Sequence, residues 1–310
     1  MAGGNCLSLT PLETFIIKLI KISYIERKIP MNQSSYKVKK AIGRTLLYIM
    51  LMIGALAALM PFLWMLSASV KLNKDLFVFP IEWIPNPIHW ENFGRVLDKI
   101  PFFTYFLNTL KLAVIITVLQ VVTCSLASYS FSKIRYPGRD KIFLLYLATM
   151  MLPFQVTMIP QFMIMSWAGL ADTHMSLILI QAFSTFGVFL LRQFFLGIPE
   201  ELSESARIDG CNEMMILIRI ILPLAKPALA TLITFTFVNV WNDYLAPLIY
   251  ISSDKLKTIQ LGIRYFQQAQ DTENSLIMAA TVMGLAPVII LYLTCQKQFV
   301  EGIATTGLKG

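Results

Sequence analysis

Little in this sequence could carry out chemistry. Histidine occurs only twice, at His89 and His174. Neither has a second ligand-type side chain at metal-binding spacing, so ordinary solvated histidines are expected and no metal site is. No nucleophile, base and orienting group fall together, which removes the usual basis for a catalytic site. The four cysteines, Cys6, Cys124, Cys211 and Cys295, show neither pairing nor ligand spacing, and three lie in or beside apolar runs. Reduced structural thiols are expected. A nucleotide loop is missing too: Gly302 and Gly307 have the glycine spacing, but Leu308 stands where the phosphate-binding Lys is needed. The chain therefore cannot hydrolyse ATP by itself, and no cofactor is expected on it. Charged residues make up 14% of the sequence, well below the roughly 25% of soluble domains. No small-residue cleavage site follows a short apolar core, which argues against a cleaved signal peptide.

What is abundant is apolar surface. Hydrophobic residues make up 56% of the 310, and the mean hydropathy is +0.65. That composition reads as a polytopic, all-α membrane protein. Six stretches reach or approach the roughly 20 apolar residues that cross a bilayer. They lie near 45–66, 106–131, 142–163, 176–197, 227–250 and 276–296. The net charge of +8 falls in short clusters between these runs, not along one soluble face, so it is a topology signal and not a nucleic-acid footprint.

Lys37, Lys39, Lys40 and Arg44 precede the first span, and Lys133, Arg135, Arg139 and Lys141 follow the second. Segment 166–175 between the third and fourth has neither Lys nor Arg. Six spans with both termini in the cytoplasm follow. The chain then divides into a cytoplasmic segment, 1–43, and a transmembrane domain, 44–310. Residues 1–30 also read as an over-extended start, because MNQSSYKVKK from Met31 is a common kind of basic lead-in to a first span. Loops 67–105 and 251–275 are expected outside, where they could meet an external partner.

Polar residues inside spans are costly unless satisfied or lining a cavity. Asn108, Gln120, Gln155, Gln161, Gln181, Asn239 and Asn242 are such residues. Hydrogen bonding between helices accounts for any one of them, and a hydrated path for a polar solute would use several. Asn239, Trp241, Asn242 and Asp243 are the candidates for lining that path. Asp243 is the one acid placed to couple an ion, which is thin support for a proton- or sodium-driven carrier.

Between the fourth and fifth runs lies Pro199 to Pro227, a mostly polar connector. Pro199, Glu200 and Glu201 suit a helix start and Arg207 a helix end. Gly210 then supplies a left-handed turn, and Asn212 caps a second short helix. Pro223 is expected to end that helix and Pro227 to begin the next span. The connector acids Glu200, Glu201, Glu204 and Asp209 disfavour an anionic lipid surface.

Glu204-Ser205-Ala206, with Gly210 six residues after the Glu, Ile220 at sixteen and Leu222-Pro223 at eighteen and nineteen, resembles the EAA loop of ABC-importer permeases. PFLWMLSASVK at 61–71, SYSFSKIRYPGRD at 128–140, FGVFLLRQFF at 186–195 and WNDYLAPL at 241–248 are similar to the MalG-type branch of carbohydrate importers. The likeness covers about 45–310, and Ser205 departs from the usual Ala.

The resemblance implies a multi-pass permease subunit of the bacterial cytoplasmic (inner) membrane. Its partners would be a second, homologous permease, a cytoplasmic ABC ATPase dimer that binds ATP and Mg, an extracytoplasmic sugar-binding protein and membrane lipids. It also implies that Glu204, Ala206, Asp209, Gly210, Leu222 and Pro223 couple to the ATPase, with Ala206 and Leu202 as the apolar docking face. The tail 302–310 resembles a family segment that reaches between ATPase subunits. The competing readings are a secondary carrier or channel for polar solutes, a permease for a non-sugar solute such as glycerol phosphate, and a membrane scaffold.

Overall fold

The computed structural model describes residues 33–267 and 272–307, with side-chain surroundings for 41–267 and 272–296. The reading of 1–30 as an over-extended start, Cys6 and residues 308–310 of the tail lie outside the described residues. Among those described the chain is helical, with no strand beyond one isolated bridge between Gln267 and Thr272.

The chain divides into two units, Met1–Leu63 and Trp64–Gly310. In the first, α1 (Gln33–Ser69) begins, and every residue from 41 to 63 is exposed. An apolar helix exposed all round has the surface that hydrocarbon tails require.

The second unit contains α2 (Glu91–Lys99), α3 (Phe102–Lys133), α4 (Arg139–Ala148), α5 (Phe154–Trp167), α6 (His174–Gln181) and α7 (Thr185–Leu196). Then come α8 (Glu201–Ile208), α9 (Glu213–Ile216), α10 (Leu222–Leu224), α11 (Lys226–Trp241), α12 (Leu245–Tyr250), α13 (Ile259–Arg264) and α14 (Asn274–Gly307). Among the described residues, four helical stretches are long and apolar enough to cross a membrane: Ala41–Ser69, Phe102–Lys133, His174–Leu196 and Asn274–Gln296. Two bent pairs raise the number to six if each is one span.

The bends depart from the simple picture of continuous runs, and each has a local cause. Between α4 and α5 the direction changes by 98° at Leu152-Pro153, where Leu152 is extended. Proline lacks the N–H that the ladder needs and pushes its predecessor out of the helical region. A second bend, of 84°, separates Glu213–Leu224 from α11. Pro223 does not stop the second connector helix as expected. The helical path runs through a five-residue π turn, Leu217–Ile221, and continues to Leu224, with Pro223 in the first turn of α10. The wider turn shifts the pairing so that the missing proline N–H breaks no bond. Helix α11 then ends at Trp241, and residues 242–244 separate it from α12, so 227–250 is not one helix.

Helix α3 is the central post, packed against α7 and α11, and α11 packs on α14. The gap between α6 and α7 leaves carbonyls without helical partners, and α3 supplies donors from one face. Gln120 Nε2 donates to Gln181 O at 2.7 Å and Thr123 Oγ1 to Ala182 O at 2.8 Å. Farther along the same face, Ser128 Oγ donates to Val188 O, within α7, at 2.8 Å. Gln120 also accepts from Thr236 Oγ1 of α11, so one amide ties three helices. Asn108 similarly donates to Lys255 O and Lys257 O. These two amides thus do the interhelical and loop bonding that competes with a path role.

Candidate functional site

The connector folds from its own local signals. Helix α8 carries Glu201 and Glu204 in its first turn and Arg207 in its last, each favourable to the helix dipole. Gly210 follows at φ +83°, a left-handed conformation that glycine adopts without steric cost. Asn212 then caps α9, its side chain accepting from Met215 N at 2.8 Å.

The two faces of α8 differ. Ser203 and Ala206 are buried, and Ala206 packs in a cluster with Tyr129, Val188, Ile216 and Leu217. Glu204, Asp209 and Gly210 are exposed, beside Leu202 at 42% and Ile208 at 86% exposure. Ala206 therefore looks inward, and the outward apolar groups are Leu202 and Ile208. A Cβ at Gly210 would meet no atom of the described residues within 4 Å. Leu222 is half-buried and Pro223 exposed.

Behind α8 the connector is anchored by groups from distant segments. Arg207 donates to Glu213 at 2.7 and 3.3 Å, and the Tyr129 hydroxyl of α3 donates to the same carboxylate. Buried Lys133 gives its Nζ to Ile198 O at 2.7 Å, a cation against carbonyls at the end of α7. Arg135 pairs with Glu200 at 3.0 Å. These charges border a cavity of about 340 Å3 that Glu204 also lines. Alongside it, Arg192 donates to Phe131 O at 3.0 Å and to Asp140 at 2.9 Å, joining the motif at 186–195 to the one at 128–140.

The residues proposed for a solute path separate. Trp241 is buried, stacked on Phe237 and edge-on to Phe106, with its indole N–H donated to Gly284 O at 3.1 Å. Asn239 and Asn242 are exposed, Asn242 accepting a long bond of 3.4 Å from Gln260. Asp243 faces inward: its Oδ2 accepts from Gln181 Nε2 at 3.0 Å and its Oδ1 from Ala246 N at 3.2 Å. With Gln161 it lines a smaller cavity of about 200 Å3.

Comparison with known proteins decides what kind of chain this is. Residues 124–304 match the family described as binding-protein-dependent transport system inner membrane component. The chain belongs to this family. A probable ABC transporter permease of Bacillus subtilis, YurM, is 32% identical over 301 residues, covering 96% of this chain and 98% of its own. The arabinooligosaccharide transport system permease AraQ of Halalkalibacterium halodurans is 32% identical over 259 residues, 83% of this chain and 93% of its own. Among solved structures, a bacterial ABC transporter involved in import of the acidic polysaccharide alginate aligns with a TM-score of 0.72 at 29% identity. It covers 84% of this chain and 98% of its own.

This binding-protein-dependent component is thus a multi-pass permease of the cytoplasmic membrane and not an enzyme. The matched residues contain the whole connector and its anchors Lys133, Arg192, Arg207 and Glu213. Sequence reasoning missed Tyr129 and Glu213 as partners. The one available signal was that Arg207 and Glu213 flank a left-handed glycine, a spacing that folds opposite charges back toward each other. Tyr129 had no such signal, being 84 positions from Glu213.

Proposed function

We propose that this chain forms half of the translocation path of an ATP-driven carbohydrate importer and receives the force of ATP hydrolysis through its connector. Six spans cross the membrane, with both termini and the connector in the cytoplasm and residues 44–310 as the transmembrane domain. This reading counts each bent pair as one span and follows the Lys and Arg clusters. A second permease completes the path, an external binding protein delivers the sugar, and a cytoplasmic ATPase pair holds ATP and Mg.

The observation that carries the coupling role is the outward face of α8. Leu202 and Ile208 stand exposed among Glu204 and Asp209, beside a glycine turn that none of the described residues crowds. An apolar anchor with acids around it is a face for a basic protein cleft. The inward Ala206 and the Arg207–Glu213–Tyr129 network brace the opposite side, so a push on α8 reaches α3 without being lost in a loose loop. ATP binding favours one state of the ATPase pair, and the connector passes that preference to the helices. The carbohydrate class rests on relatives such as the arabinooligosaccharide permease.

Gly210→Pro and Glu204→Lys, placed in the complete importer, should abolish uptake of the sugar its binding protein retains while membrane insertion persists. The ATPase should co-purify with wild type and not with Glu204→Lys. Full uptake by either variant overturns the coupling role.

A further inference from the structure

The small cavity between α5, α6 and the segment leading into α12 has an unusual wall. Gln161, Gln181 and Asp243 bring polar groups into it, and Phe154, Ile180 and Leu245 supply apolar surface. Gln161 Oε1 is buried without a hydrogen-bond partner among the described residues. A buried acceptor left unmade costs about 1–3 kcal/mol, so such an atom at a cavity wall marks a place where a donor from outside the chain belongs. Asp243 already accepts from Gln181 and from Ala246 N, yet each carboxylate oxygen has capacity for a second donor. No Lys or Arg among the described residues lines the cavity. The wall is thus rich in acceptors, has no positive charge, and has a phenyl ring that can meet the C–H face of a pyranose or furanose.

On this geometry, and resting on the importer reading above, we propose that the chamber is a water-filled contact point on the solute path. It accepts hydroxyl donors from a neutral polyhydroxylated solute and turns anionic solutes away. An anion would place its charge beside Asp243 in a confined, poorly screened space with nothing to offset it.

The test needs no knowledge of the sugar. The complete transporter is placed in nanodiscs, where both faces meet the reagent, with all its cysteines replaced by serine, including Cys6, Cys124, Cys211 and Cys295. Gln161→Cys is then introduced and treated with a cationic trimethylammonium methanethiosulfonate or an anionic sulfonate methanethiosulfonate. Each rate is normalised to that with 2-mercaptoethanol. The cationic reagent should react at least about tenfold faster, the effect of one nearby charge in a confined site. Adding Asp243→Asn should bring the ratio to about one. Absence of modification by both reagents, a normalised ratio near or below one with Asp243 present, or a ratio unmoved by Asp243→Asn each overturns the proposal. If the Gln161 variant does not assemble, Gln181→Cys gives the same readout. Labelling requires neither uptake nor ATPase docking, so failure of the importer reading shows separately in those two assays.

Discussion

Gly210 separates two reasons for a glycine that usually travel together. Its φ of +83° makes a side chain costly for the backbone, while the space around it in this chain is open. The conformational reason is therefore intrinsic, and any steric reason comes from a docked partner. Gly210→Ala should destabilise the detergent-solubilised permease by about 1 kcal/mol, read as a lowered midpoint of thermal unfolding, and Gly210→Asn by less, because Asn tolerates the left-handed region. Equal losses for the two would show that the φ is not what selects glycine here. The contrast with Ala206 is instructive, since that small residue serves the chain's own core and not an outside face.

Helices α3, α7 and α11 meet closely at Gly187. A Cβ there would lie 2.8 Å from Cys124 Sγ and 2.8 Å from Leu232 Cδ1. The Ser184 side chain accepts from Gly187 N at 3.0 Å and so starts α7 at this crossing. Gly187→Leu overpacks the site and should cost about 1–3 kcal/mol, measured as a loss of thermal stability. Cys124→Ala should recover part of that loss in the double variant and little alone, because the two side chains compete for one space. Additive effects would mean that the helices move apart instead. The break between α6 and α7 would be unaffordable in lipid without the donors of Gln120 and Thr123, so the polar face of α3 and the interrupted helix make sense only as a pair.

Across the whole molecule, loops from different spans are clamped together at the end opposite the connector. Asp172, at φ 56°, accepts from Ser252 N and Ser253 N at 2.9 Å each and from the Ser253 hydroxyl, while its own N–H donates to Tyr250 O at 3.0 Å. The Ser253 side chain, followed by the two backbone N–H groups, holds the Asp172 carboxyl below the usual carboxylate range. A lowered folded pKa means that the clamp contributes stability above the unfolded value and loses it as pH falls through the folded one. Hydrogen-exchange protection of the Ser252 and Ser253 amides should therefore be full near neutrality and fade below about pH 4. Asp172→Gly, which keeps the left-handed backbone but removes the carboxylate, should remove that protection at every pH. Undiminished protection in this variant would show that the clamp lies elsewhere.

Much of this could be read from the sequence alone because it depends on neighbours in the chain. Apolar runs of bilayer length, the lack of a phosphate-binding Lys, the Asn212 cap and the Glu204 to Gly210 spacing are all local, and backbone hydrogen bonding in an apolar solvent converts them directly into helices and a turn. The inward or outward sense of Ala206 could not be read, because both faces of a short amphipathic helix carry small or apolar residues. Nor could the chamber, where Gln181 and Asp243 meet from 62 positions apart. Periodicity records which face of a helix is apolar, but tertiary packing decides which faces meet. That is why Trp241 ended in a helix interface and its near neighbour Asp243 at a cavity wall.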